Sequence, residues 1–286
     1  MKNEVLSCKF ALVGKTNVGK STLLNLLLGD QIAITSHKSH TTRSKILGVV
    51  HDDPYEMIFL DTPGLGQKTH NTVQSMMMRA TDSCISEADC ILFLIDTTVL
   101  SEQEVNLLKK FKELKPVILV INKIDRITND ALEIILNDPP SDIVAIIPIS
   151  AKKKTHIDIL RGHLRMQCQP KKQKYHQDFT HDQSLEKRIC EVTRCQLLKY
   201  CHKEVPHDLN VELEKYEQNE KLATIHLVIV VKNNNQKKIV IGKNGLHLKK
   251  IATDSRKSIE KILNKKVMLK VWVKINPNWM ESQPNI

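Results

Sequence analysis

Eight residues constrain this chain more than any others: Gly14-Lys15-Thr16-Asn17-Val18-Gly19-Lys20-Ser21, set between the apolar run 10–13 and a helix-like stretch that opens Thr22-Leu23-Leu24. A strand, a loop with glycine at both ends and a helix start form the context in which such a sequence binds phosphate. Gly14 and Gly19 let the backbone curl so that its N–H groups point inward, and the helix N-terminus adds partial positive charge. Lys20 is then expected to reach the β- and γ-phosphates, with the Ser21 hydroxyl on Mg²⁺. A chance glycine turn would have to match both the pattern and its flanks.

Three further signals follow in order. Asp61-Thr62-Pro63-Gly64 ends the apolar run 57–60; Asp61 suits Mg²⁺, and the Gly64 N–H can approach a γ-phosphate oxygen. Alone it would mark only a turn. Asn122-Lys123-Ile124-Asp125 follows the run 116–121. An ionised Asp125 is acceptor-only and can take both the ring N–H and the exocyclic amine of guanine. Adenine offers neither donor there, so the expected nucleotide is GTP rather than ATP. Ser150-Ala151-Lys152, after the run 146–149, is expected to give a backbone N–H to the guanine carbonyl.

Strand-like runs alternate with amphipathic stretches from about residue 9 to 165, a pattern that predicts an α/β P-loop domain with a mostly parallel sheet and helices on both faces. We expect this domain over 1–166, a polar connector over 167–184, and a second, α+β domain over 185–286. The apolar runs are strand-sized, short of the ~18 residues of a membrane span, and Lys9 interrupts the first of them, unlike a signal peptide. Seven cysteines without Cys-x-x-Cys or zinc-type spacing predict a reducing, cytoplasmic setting and no structural metal.

The net charge of +11 is unevenly spread: residues 171–286 carry 23 Lys and Arg against 13 Asp and Glu, whereas 1–170 carry 20 against 19. A basic domain beside a neutral nucleotide domain points to a polyanion. That domain reads as a helix over 185–200, strands over 209–214 and 223–231, and a polar turn at 233–235. An apolar, strand-like run at 238–241, the turn Gly242-Lys243-Asn244-Gly245, helices over 246–252 and 254–263, and a strand over 267–275 complete it. The order fits a type II KH domain. There a Gly-x-x-Gly loop clamps about four nucleotides by their backbone, and Lys243, Lys249 and Lys250 would add cations. A helix-linking turn is the plainer alternative, but two of only nine glycines fall here, in the basic half.

Taken together the motifs resemble the Era family of bacterial GTPases, which carry a C-terminal KH domain. The likeness extends to Thr41-Thr42-Arg43, Val211-Glu212-Leu213-Glu214-Lys215, Ile239-Val240-Ile241-Gly242-Lys243, Leu269-Lys270-Val271-Trp272-Val273-Lys274 and Trp279. It implies GTP and GDP as ligands with Mg²⁺ on Ser21, Asp61 and a switch-loop hydroxyl, Thr42 with Thr41 as the alternative. It also implies recognition of the 3′ end of small-subunit ribosomal RNA during maturation of the small ribosomal subunit, and peripheral contact with the inner membrane. A monomer is expected. The sequence departs from the family at Lys15-Thr16, at His40 and at Leu65-Gly66. Leu65 stands where Ras-like switches orient water with glutamine, and an alkyl chain cannot do that. The resemblance points instead to a potassium ion near Asn17, whose plainer role is to steady the turn. Catalysis is expected to rest on Lys20, Asn17, Thr42 and Gly64. Two other readings stay open: a membrane-surface or cell-cycle switch, and an RNA chaperone with negligible hydrolysis.

Overall fold

Five strands rich in Val, Ile, Leu and Phe need cover on both faces, and the first half of the chain supplies it with helices. The computed structural model describes residues 4–29, 32, 45–65, 72–201 and 209–279, with 72–77 as backbone alone. The expected switch-loop residues His40, Thr41, Thr42 and Arg43, and Gly66, lie outside the described residues.

The chain divides into two units, Met1–Asp182 and Gln183–Ile286. In the first, the elements run β1 (Glu4–Gly14), α1 (Lys20–Leu28), β2 (Ile46–Asp52), β3 (Tyr55–Asp61), α2 (Thr72–Glu87) and β4 (Cys90–Ile95). They continue with α3 (Glu102–Leu114), β5 (Val117–Ile121), α4 (Asn129–Asn137), β6 (Ala145–Pro148), α5 (Ile157–Met166) and β7 (Gln169–Lys172). The sheet order is β2-β3-β1-β4-β5-β6, parallel from β3 to β6, with β2 antiparallel at the edge. Strands β4 and β5 are buried at every position, as unbroken apolar strands between two helical layers must be. Phe10, Leu12, Phe59 and Leu92 pack with Leu23, Leu24 and Leu27 of α1 and Leu160 and Leu164 of α5. Their neighbours Ala11, Val13, Ile58 and Phe93 face the opposite way, toward Cys84 of α2, Leu108 and Phe111 of α3 and Ile135 of α4.

The stretch expected as a connector is largely built into this unit. β7 runs antiparallel to β1 along residues 4–7, beside the edge that β4 covers from Phe10 onward. Tyr175 and Phe179 stack with ring centroids 4.8 Å apart and pack on the core. Further along, Thr180 O accepts from Val49 N, and Asp182 exchanges bonds with Leu47, which adds this segment to the free edge of β2. The sequence hid this because the stretch is polar and contributes mainly backbone groups. Its anchor is Glu56 on β3, 1% exposed, whose carboxylate accepts from Ser7 Oγ (3.1 Å), Lys174 N (3.1 Å) and Tyr175 N (2.8 Å).

The second unit comprises α6 (Leu185–Tyr200), β8 (Leu209–Gln218), β9 (Leu222–Val231), α7 (Asn234–Ile241), α8 (Leu246–Leu263) and β10 (Lys266–Ile275). Its sheet runs β10-β9-β8, with β9 antiparallel to β8 and parallel to β10. Alternate residues of β9, from Ala223 to Val231, point into a core with Ile189 and Leu197 of α6, Val240 of α7 and Ile251 and Ile259 of α8. Val228 and Val230 face the other way and are covered by Trp279.

Two expectations are corrected here. The run 238–241 is helix rather than strand. Asn233 Oδ1 accepts from Gln236 N and Gln236 Oε1 from Lys232 N, a reciprocal cap that starts α7. Lys238 and Ile239 are then both exposed while Val240 is buried, which a strand's strict alternation would not give. Residues 246–263 form one helix rather than two, with Ile251, Ser255 and Ile259 buried at four-residue spacing.

Replacing Glu56 with alanine would leave the buried Ser7 hydroxyl and the partly buried amides of Lys174 and Tyr175 without this acceptor, at about 1–3 kcal/mol for a fully buried group so orphaned and less for the others. We expect Glu56→Ala to unfold at lower temperature and to exchange amides of 169–182 faster, with residues 222–231 unchanged. Unaltered exchange over 169–182 would contradict the anchoring role.

Candidate nucleotide site and nucleic-acid interface

Parallel strands β1, β3, β4, β5 and β6 all end on one side of the sheet, and the four motifs leave those ends. The loop 14–19 joins β1 to α1. Gly19, at φ 104°, is held where a Cβ would lie 2.1 Å from Asn122 Nδ2, so any side chain there collides with the β5 motif. Lys20 is buried, and its ammonium donates to Gly14 O at 3.0 Å and Lys15 O at 2.9 Å. Ser21 Oγ donates to Asp61 Oδ2 at 2.8 Å.

Lys20 and Asp61 sit in a place that penalises charge. Burial lowers Lys20 to about 8 against the pull of Asp61, and raises Asp61 to about 6 against the pull of Lys20. Asp61 Oδ1 is buried without a hydrogen-bond partner among the described residues. An orphaned carboxylate oxygen next to a serine hydroxyl is a hard-oxygen pair of the kind Mg²⁺ takes, so Ser21 and Asp61 fit that ion. Thr62 is turned away, its hydroxyl on Leu12 O at 2.8 Å, and Pro63 O accepts from Thr81 Oγ1 at 3.2 Å. Gly64 lies against Thr16, and the next amide, Leu65 N, donates to Gly14 O at 3.0 Å. The end of the β3 motif thus docks on the first loop.

Asn122 holds the motifs together. Its side chain is buried; Nδ2 donates to Val18 O at 2.7 Å, while Oδ1 accepts from Lys123 N at 2.8 Å and Ala151 N at 3.0 Å. The Ala151 amide, one of those in the triplet 150–152 expected to offer an N–H to the guanine carbonyl, is therefore engaged with Asn122. A buried amide oxygen with two donors in reach satisfies itself inside the protein. Lys123 spans Asn17 O (2.6 Å) and Asp96 Oδ2 (2.7 Å). Ser150 Oγ, oriented by Lys153 N, donates to Asp125 Oδ1 at 2.6 Å and holds that carboxyl below the usual carboxylate range. Asp125 thus stays ionised at neutral pH and keeps acceptor sites for a base. Lys152 is exposed.

Lys15 leaves the loop toward a neighbouring helix. Its ammonium turns to α3, 3.0 Å from Glu104 Oε1 and 3.1 Å from Ser101 Oγ, rather than toward the phosphate side. Glu104, Ser101 and Asp96 were not foreseen as members of this network. The Ser-x-x-Glu spacing of 101–104 is a visible capping signal, but nothing in the sequence tied it to Lys15.

In the second unit Gly242, Lys243, Asn244 and Gly245 join α7 to α8. Gly242, at φ 71°, is roofed by the His247 ring, whose Cγ would lie 2.7 Å from a Cβ; Gly245, at φ 75°, has open space around it. His247 Nδ1 lies 3.2 Å from Ile239 O, so that nitrogen carries the proton of the bond. Lys243, Asn244, Lys249 and Lys250 are all exposed. Gly245 is the N-cap of α8 and makes no side-chain hydrogen bond to the helix's first amides.

Because Asn122 joins three motifs, Asn122→Ala leaves two amides and a carbonyl without their partner, at about 1–3 kcal/mol each. We expect at least a hundredfold weaker guanine-nucleotide binding, measured by fluorescence titration, with the second unit's amide exchange unchanged. Binding within threefold of wild type would contradict the hub role.

Residues 9–123 match the family model described as 50S ribosome-binding GTPase, and residues 204–280 match that of the KH domain. GTPase Era of Vibrio parahaemolyticus is 36% identical over 284 residues, which is 96% of this chain and 88% of the relative. GTPase Era of Histophilus somni is 35% identical over 289 residues, 99% and 96% of the two chains. Among solved structures, Era in complex with MgGDPNP and nucleotides 1506–1542 of 16S ribosomal RNA has a TM-score of 0.88 at 34% identity, covering 97% of this chain and 96% of that one. A variant of Aquifex aeolicus Era bound to GDP.AlF4⁻ has the same TM-score at 33% identity and the same coverage. Identity sustained through both units, and not through the nucleotide-binding one alone, makes this chain a member of the Era family of GTPases.

Proposed function

We propose that this GTPase couples GTP binding and hydrolysis to gripping the 3′ end of small-subunit ribosomal RNA, and so assists maturation of the small ribosomal subunit. The observation that carries this is the likeness, across both units, to Era crystallised with MgGDPNP and 16S ribosomal RNA. The description matched by the first unit names the 50S particle. We favour the small subunit because the relative alike over its full length holds small-subunit RNA, and because the basic excess lies in the KH unit. Such a role suits a monomer working in the cytoplasm. Contact with anionic membrane is the second reading, carried by the same lysine excess; cosedimentation with acidic vesicles against binding to the RNA separates the two.

In this scheme Asp125 selects guanine, held by Ser150 and steadied through Asn122 and Lys123. Lys20 exchanges the carbonyls of Gly14 and Lys15 for phosphate oxygens, which replaces weak neutral acceptors with charged ones. Ser21 and Asp61, together with Thr42, would hold Mg²⁺, whose charge would offset that of the β- and γ-phosphates. Gly64, already against the first loop, offers its amide to the γ-phosphate. Leu65 packs on the core and brings no polar group to the attacking water. A potassium ion near Asn17 is our candidate for the missing positive charge. Hydrolysis should then be slow and faster in K⁺ than in Na⁺ at equal ionic strength; equal single-turnover rates would remove the potassium site.

For RNA, the uncapped amides of α8 and the exposed Lys243, Lys249 and Lys250 suit phosphates, and the exposed Ile239 and Leu246 beside the turn offer apolar surface to bases. Gly245→Asp is the cleaner test, because aspartate tolerates this backbone region and space is open, whereas at position 242 it would also strike His247. We expect Gly245→Asp to weaken binding of a 16S 3′-end oligonucleotide at least tenfold and leave GTP affinity unchanged. Wild-type log affinity should fall against log salt by roughly 0.7 per neutralised phosphate. A salt-insensitive complex, or an unaffected variant, would contradict the phosphate clamp.

A further inference from the structure

Glu104 is a buried carboxylate in α3, 3% exposed, that neither nucleotide selection nor phosphate binding uses. Its Oε2 accepts from Ser101 N at 2.9 Å and Ser101 Oγ at 2.5 Å, and its Oε1 faces the Lys15 ammonium at 3.0 Å. Burial works against its charge, but the Ser101 bonds and Lys15 outweigh that and hold its carboxyl below the usual range. The capping box of α3 is complete with Ser101 and Glu104 alone. Lys15 reaches in from a different loop and gives up the freedom of a long side chain to do so. What it gains is a fixed loop backbone. Its own carbonyl is the one that Lys20 Nζ contacts at 2.9 Å, and its backbone bridges to Leu65. Gly14 O, one peptide earlier, takes both Lys20 Nζ and Leu65 N.

We propose that Glu104 is a positioning residue of the nucleotide site: through Lys15 it holds the first half of the phosphate loop in its binding shape and joins that loop to the first turn of α3. The inference rests on the guanine-nucleotide reading above. A loop fixed in advance binds phosphate without the cost of ordering itself, and the coupling runs both ways, so nucleotide in the loop must in turn steady α3. Glutamine at this position keeps the cap, since it serves the same role at the third residue of a helix, but loses the ion pair. Glu104→Gln therefore separates positioning from helix capping.

The experiment titrates wild type, Glu104→Gln, Lys15→Met and the double variant with fluorescent GDP, and follows amide exchange of 101–105 with and without GDP. Expected are a roughly tenfold rise in Kd for each single variant and a double variant no worse than either, since both remove one interaction. Nucleotide protection of 101–105 should appear in wild type and vanish in the variants. Lys15 is half-exposed, so Lys15→Met carries the test even if Glu104→Gln folds poorly. Variants that bind GDP like wild type, costs that add in the double variant, or equal protection of 101–105 throughout would overturn the inference. Wild-type protein that ignores GDP would instead remove the nucleotide reading, and this inference with it.

Discussion

A single buried amide side chain, Asn122, decides whether the motifs make a site. Guanine selection needs a carboxylate at a set distance from a phosphate loop, yet Asp125 follows β5 and the loop follows β1. The two strands are not neighbours in the sheet, since β4 lies between them. Parallel register fixes their ends approximately; the Asn122 bonds to Val18, Lys123 and Ala151 fix them to within a hydrogen bond. The absence of a side chain at Gly19 is the other half of this constraint, because any Cβ would displace Asn122.

From that join the electrostatics follow. Lys20 and Asp61 are charged groups in a buried place, each pushed toward neutrality by its surroundings. Such a pair contributes little to folding on its own, so the arrangement makes physical sense as half of a larger charge set completed by phosphate and a divalent ion. Lys15 and Glu104 belong to the same economy of charges, tying the loop to α3 from the outside. In the second unit the design is different: lysines stand in solvent, and the specific element is backbone geometry at Gly242 and Gly245. The motif side chains of the first unit are mostly buried and tied to one another, whereas the second unit presents an exposed, lysine-flanked glycine turn.

Much of this was legible from residues alone, for reasons tied to local physics. The phosphate loop, the Asp-Thr-Pro-Gly and Asn-Lys-Ile-Asp motifs and the doubly covered sheet are written in contiguous apolar runs and glycine positions. The packing of 169–182 leaves no local signal because it works through backbone groups: 169–172 pair with β1, and the amides of Lys174 and Tyr175 bond Glu56, an acceptor more than a hundred positions away. The run 238–241 looks like a strand in the sequence because Asn233, the residue that caps its helix, falls in a polar turn and its partner Gln236 follows directly after that turn. Which way Lys15 points, and that Ala151 serves Asn122 first, depend on partners far away in sequence, and no local pattern records them.

The most direct test compares the binding of GTP, ATP and XTP to nucleotide-free wild type and to Asp125→Asn by calorimetry. Xanthine carries a carbonyl where guanine has its amine, so an amide at position 125 should donate where the carboxylate could only accept. The account predicts that wild type prefers GTP over ATP by at least a hundredfold and that the variant loses GTP and gains XTP. A wild type that binds ATP as readily as GTP, or an Asp125→Asn protein that keeps its preference for GTP, would contradict it.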